Sequence, residues 1–224
     1  MQPQWNPHGV TRHEAENLIV EYLVVGPFQE NSYLLRRPDS TQTVLIDPGD
    51  EVERLLAQIE REKLEPIAII NTHAHLDHIG AIVPLQQRFE LPFYLHDAEL
   101  PVLQMAPLAA RMFGVPAPEL PTVDRALQIG EPLQLAGLDF ELRFTPGHSP
   151  GSVTFLVGGV AIAGDVLFYG SIGRTDLPGG DYDTLIQSIE RQLMSLDDET
   201  VVFSGHGPHT TVGRERRLNP FLQG

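Results

Sequence analysis

His73, His75, Asp77 and His78 place three imidazoles and one carboxylate within six positions, immediately after the apolar run Ile67-Ala68-Ile69-Ile70. Neutral imidazole and carboxylate are ligands for Zn, Fe or Mn, so the segment reads as a metal-binding one. In extended chain, side chains two apart share a face. His73, His75 and Asp77 are therefore expected to project together while His78 points elsewhere, and one short loop would feed two ions.

The same chemistry recurs downstream. The chain has nine His, and two more of them lie in glycine-flanked segments that follow apolar runs: His148 in Thr145–Gly151 and His206 in Ser204–Pro208. Asp165 ends a further run, Val160–Gly164. Polar groups placed repeatedly at the ends of strands are what an α/β scaffold uses for chemistry. His8, His13, His96 and His209 fall outside this pattern and receive no role.

The order H-x-H-x-D-H, then His148, then Gly164-Asp165, then Gly205-His206 resembles the metallo-β-lactamase superfamily, from about Leu18 to Leu222. Gly164–Phe168, Gly173–Asp176, Gly205–Pro208 and Arg216–Phe221 are similar to the short glyoxalase II-like hydrolases within it. The resemblance implies that His73, His75 and His148 hold one metal, that Asp77, His78 and His206 hold the other, and that Asp165 bridges them. It implies two divalent cations, Zn first and Fe or Mn as alternatives. Cations about 3.5–4 Å apart share a water and lower its pKa from about 15.7 toward 7, while polarising a carbonyl. The implied activity is hydrolysis of a hydroxyacyl thioester such as S-lactoylglutathione by a metal-bridging hydroxide. Asp77 and Asp165 are the catalytic carboxylates, with Asp77 orienting the attacking water or taking its proton.

Other activities in the superfamily stand as alternatives. Persulfide dioxygenases share much of the pattern with a single iron, but their last His segment tends to an Ala-His-Asp type, unlike Gly205-His206-Gly207-Pro208. Hydrolysis of another small ester or lactone is a further reading. The absence of Cys argues against antibiotic hydrolysis as the main task, and His75 stands where oxygen-reducing flavodiiron relatives carry Glu. Larger glyoxalase II enzymes add a helical C-terminal domain for the thiol, which the resemblance does not extend to.

Composition narrows the partners. A formal charge of −15 and a single Lys, Lys63, argue against nucleic acid, because phosphate binding needs clustered cations. Tyr169 and Arg174 are the candidates for substrate contact. No segment reaches the roughly eighteen apolar residues of a membrane span, and Met1–Asn17 has no signal-peptide pattern. The expectation is a cytoplasmic enzyme with a small-molecule thioester as partner, no membrane association and a possible homodimer.

The elements that must position these residues follow from periodicity. Strands are expected near Ile19–Val25, Ser32–Leu35, Thr43–Ile46, Ile67–Asn71, Pro92–Leu95, Phe140–Thr145, Ser152–Val157, Val160–Ala163 and Val201–Phe203, with a two-residue hairpin turn at Gly158-Gly159. Helices are expected at Glu51–Lys63, Ala81–Phe89 with Pro84 in the first turn, Asp97–Met105, Asp183–Leu193 and Val212–Arg217. Met105–Pro121 reads as irregular and as a candidate apolar lid. Strands and helices mixed in both halves agree with the fold class that the resemblance implies: α/β, a four-layer αβ/βα sandwich with two mixed sheets face to face and helices outside. Residues 1–17 are expected to form an N-terminal arm ahead of a single hydrolase domain, 18–224.

Overall fold

The computed structural model describes residues 9–15 and 17–223. Its first sheet takes seven strands in chain order: β1 (Val10–Ala15), β2 (Leu18–Val25), β3 (Glu30–Arg36), β4 (Gln42–Ile46), β5 (Glu65–Ile70), β6 (Phe93–Leu95) and β7 (Arg125–Ala126). The first four pair antiparallel and the rest parallel. The second half of the chain supplies β8 (Leu133–Leu135), β9 (Leu138–Phe144), β10 (Val153–Val157) and β11 (Val160–Gly164). A small ribbon, β12 (Leu167–Phe168) with β13 (Ser171–Ile172), precedes β14 (Val201–Ser204) and β15 (Thr210–Thr211). The second sheet runs β15-β14-β11-β10-β9-β8 and is mixed, because β11 and β14 are parallel.

Alternation explains how two sheets and five helices share the apolar residues. Leu18, Val20, Tyr22 and Val24 point one way from β2 and pack with Phe140, Phe155, Ile162 and Phe203 between the sheets. Leu23 and Val25 point the other way, under α1 (Val52–Arg61), α2 (Ile82–Phe89) and α3 (Leu100–Phe113). Behind the second sheet, Ala161, Ala163 and Val202 pack on α4 (Tyr182–Ser188), on a π-helical turn Ile189–Leu193, and on α5 (Val212–Leu218). The result is the four-layer αβ/βα sandwich of a metallo-β-lactamase fold.

The expected strands and helices are present, with small shifts at their ends except that the helix expected to stop at Met105 runs on to Phe113, and Pro84 is the third residue of α2. Gly158 and Gly159, at φ +53° and +81°, make the two-residue turn that registers Val157 opposite Val160; only positive φ closes such a turn with the right twist. Two expectations need correction. Residues 10–15, assigned to the arm, form edge strand β1, whose Arg12 reaches buried Glu21 at 3.0 Å; one exposed face masked its pattern. Residues 1–8 lie outside the described ones. The stretch from Met105 is helical as far as Phe113. An interior proline such as Pro107 costs about 3 kcal/mol, but burying Val102 and Leu103 returns roughly 1.5–3 kcal/mol each.

Candidate metal centre

Every sequence-chosen His and Asp sits in a loop leaving the same end of the sandwich. β5 feeds the loop of His73, His75, Asp77 and His78; β9 feeds His148; β11 feeds Asp165; β14 feeds His206. The first loop is held by Asn71, whose Nδ2 donates to the His73 carbonyl at 3.3 Å and to that of His78 at 2.8 Å. Leu76–His78 forms a 3₁₀ turn, so the expected extended alternation stops after His75. The turn swings Asp77 away from His73 and His75 and sets it beside His78 and His206.

Two clusters of donor atoms result. His73, His75 and His148 form one and Asp77, His78 and His206 the other, each with its donors within 4.8 Å of one another. Asp165 lies between them: Oδ2 is 3.5 Å from His148 Nε2 and 3.4 Å from His206 Nε2, and Oδ1 is 3.5 Å from His78 Nε2. The structure therefore brings together all seven residues picked from sequence.

Each ring is aimed by what its other nitrogen touches. Nδ1 of His148 donates to the Arg174 carbonyl at 2.7 Å and that of His206 to the Phe28 carbonyl at 3.1 Å. His78 Nδ1 donates to Asp47 Oδ2 at 3.1 Å, and His73 Nδ1 to Thr72 Oγ1 at 3.0 Å. All four then turn Nε2 toward the centre, where His75 instead presents Nδ1, 2.9 Å from His148 Nε2. Asp47 also approaches His73 and His78, but its oxygens accept Thr72 N at 2.7 Å and Thr72 Oγ1 at 2.6 Å. Its geometry is that of an anchor for the rings.

A pair of divalent cations fits this donor set. His73 Nε2, His78 Nε2 and Asp165 Oδ1 are buried without any hydrogen-bond partner, a condition costing about 1–3 kcal/mol per atom unless something else satisfies it. The His73, His75 and His148 rings meet nearly edge-on, at 81–89° between planes, so their lone pairs converge without stacking.

Electrostatics divides the clusters. Burial, reinforced by His148, holds His75 down to about 3, and burial likewise lowers His73 and His148. These imidazoles are neutral and ready to ligate. For His206 burial pulls downward, but Asp165 and Asp77 outweigh it and raise the ring to about 10; His78 is raised by the same carboxylates. Asp77 and Asp165 are both lowered against burial, through His78 and His206.

The donors floor a cavity of about 450 Å³, whose lining includes His75, Asp77, His148, Asp165 and His206. Phe168 lines it, with its ring 6.1 Å from that of His206. Tyr169, expected at the substrate, is not among the lining residues; it stacks on Arg214, whose Cζ lies 3.4 Å from the ring centroid. β12 ends at Phe168, and Tyr169 begins the turn to β13, so the two neighbours leave the chain in different directions. Arg174 reaches the cavity, but its guanidinium is clamped by Asp176 with two bonds of 2.7 Å.

Sequence reading missed three supports: Asp47, Asn31 and Glu99. Asn31 Nδ2 donates to the carbonyls of Ser204 and Gly207 at 2.8 and 2.9 Å, holding the His206 loop. Asp47 ends the apolar run Val44–Ile46 just as Asp165 ends Val160–Gly164, so the same signal would have flagged it. Asn31 and Glu99 carry no such signal.

Fold and site define a metal-dependent hydrolase class, and the model of the metallo-beta-lactamase superfamily matches residues 25–206. The chain belongs to that superfamily. It is 42% identical over 207 residues to the hydroxyacylglutathione hydrolase GloC of Haemophilus influenzae, covering 91% of this chain and 97% of that protein. Among solved structures, the BLEG-1 B3 metallo-beta-lactamase superposes with a TM-score of 0.86 at 42% identity, over 92% of this chain and 100% of that one. TTHA1623 in a di-iron-bound form superposes with a TM-score of 0.82 at 48% identity, over 90% of this chain and 99% of that one. Among the described residues, no helix is long and apolar enough to cross a membrane.

Proposed function

We propose that the protein hydrolyses hydroxyacyl thioesters of a small thiol of the glutathione kind. The observation that carries this reading is the pair of donor clusters with Asp165 between them at the floor of an open apolar cavity. The likeness to GloC supports the thioester as substrate. His73, His75 and His148 would hold one cation, Asp77, His78 and His206 the other, and Asp165 both, with zinc as first candidate. Two bound cations supply Lewis acidity, making water acidic near neutral pH and drawing charge from a carbonyl oxygen.

The chain's own groups do the rest. Asp77, ionised beside His78 and His206, borders the cavity and accepts a proton from water. His148 and His206 keep their rings fixed through backbone carbonyls, so the donor set is held before substrate arrives. The complete second donor set of Asp77, His78 and His206 favours hydrolysis over the single-iron dioxygenase alternative.

The test is loss of the thioester absorbance of S-D-lactoylglutathione, with protein reconstituted separately with Zn, Fe and Mn. Hydrolysis abolished by chelation supports the proposal. Turnover of a β-lactam, or oxygen uptake with a persulfide, in place of thioester hydrolysis would replace it.

A further inference from the structure

Helix α3 carries two apolar stripes. Val102, Leu103, Ala106 and Ala110 are buried, the first three in the cluster beneath the first sheet's outer face, with Val102 and Ala106 also reaching the inner wall of the cavity. Met105, Leu108, Ala109, Met112 and Phe113 recur at the spacing of a second helical face, and all five line the metal-centre cavity. Their exposure is high for such side chains, 57% for Leu108 and 78% for Met112. Phe168, Ile172, Leu177 and Pro178 line the cavity as well. A pattern so apolar at a solvent-open mouth marks a binding surface rather than core.

Charge points the same way. Among the described residues, Arg174 is the one Arg or Lys lining the cavity, and the Nε and Nη2 edge of its guanidinium is already paired with Asp176. A glutathione-like carrier brings carboxylates and meets, among the lining side chains, a single Arg already paired with Asp176, so the charged thiol half is better placed toward solvent. The uncharged acyl half is what the cavity can bury.

We infer that the cavity selects thioesters by an apolar acyl chain and that the outer stripe of α3, centred on Leu108 and Met112, sets the preferred length. This rests on the thioester-hydrolase reading and extends its acyl group from hydroxyacyl toward longer apolar chains. A buried methylene strengthens binding about fourfold, so kcat/KM should climb by roughly that factor per carbon until the chain fills the cavity.

The experiment is a ladder of S-acylglutathiones from acetyl to hexanoyl, beside S-D-lactoylglutathione, with calorimetric binding of S-methylglutathione and S-hexylglutathione in parallel. A rising ladder in both measurements, flattened severalfold in the double variant Leu108→Ser, Met112→Ser at unchanged metal content, is the expected result. Hydrolysis with a flat ladder, or a slope the double variant leaves intact, overturns the acyl-chain inference and leaves the hydrolase reading standing. No hydrolysis but a binding ladder that the variant flattens sinks the thioesterase reading and keeps the apolar site. No hydrolysis and equal binding of the two thioethers removes both.

Discussion

The Ser149 hydroxyl donates to Glu99 Oε1 at 2.6 Å, and neither residue is exposed to solvent. The same carboxylate accepts Gly151 N at 2.6 Å and, through Oε2, Ala74 N at 2.8 Å. Glu99 thus ties the loop of His73 and His75 to the loop of His148, holding three metal-cluster residues through their backbones.

Removing that strut should loosen the first cluster. In Glu99→Ala each buried donor left without an acceptor costs about 1–3 kcal/mol. Glu99→Gln keeps the volume but turns an amide N–H toward a donor. We expect both to melt lower, and Glu99→Gln to bind metal about 10–100-fold more weakly. Wild-type metal affinity in Glu99→Gln would show that the strut does not position the ligands.

Gly205 abuts the bridging position. A Cβ there would overlap Asp165 Oδ1 and come within 2.8 Å of His78 Cε1. Gly205→Ala should therefore lose metal and activity while β14 stays in its sheet. Circular dichroism with elemental analysis reads this, and a fully loaded Gly205→Ala protein would contradict the close packing.

Ligand removal should separate the clusters. His148→Ala is expected to retain metal only in the cluster of Asp77, His78 and His206, about one ion per chain. Asp165→Ala should hold less, because both clusters share that carboxylate. Chelation of the wild type should lower its melting temperature, since the ions bind the folded form alone. Equal metal content in both variants and the wild type would refute the assignment.

A pH effect is expected away from the centre. His209 packs with its ring 5.5 Å from Phe203 and 6.4 Å from His13, and its Nδ1 is buried without a partner. Burial first, then the charge of His13, lowers its pKa. The unfolded chain therefore takes up this proton first, and stability falls as pH drops below about 6.5 toward the lower folded value. His209→Phe should flatten thermal melting across that window; an undiminished slope would place the effect on another group.

Much of this was readable from local pattern. Imidazoles at positions 73, 75, 78, 148 and 206 and carboxylates at 77 and 165 announced a metal centre because the residue types dictate the chemistry, and each segment followed a short apolar run that reads as a strand. Where one residue's environment depended on its immediate neighbours, as at the hairpin of Gly158 and Gly159, sequence and structure agree. Tertiary structure alone decided the rest, because burial and pairing link residues far apart in the chain. Asn31 acts on Ser204 and Glu99 on Ser149, separations that no spacing rule reveals. Pro107 stayed helical because the sheet beneath α3 rewards the helix more than the lost bond penalises it. Phe168 ends β12 and lines the cavity, whereas Tyr169 starts the turn to β13 and packs on Arg214; only the packed structure, which sets where the strand stops and which distant side chain waits beside the turn, decides which of the two aromatics meets the site.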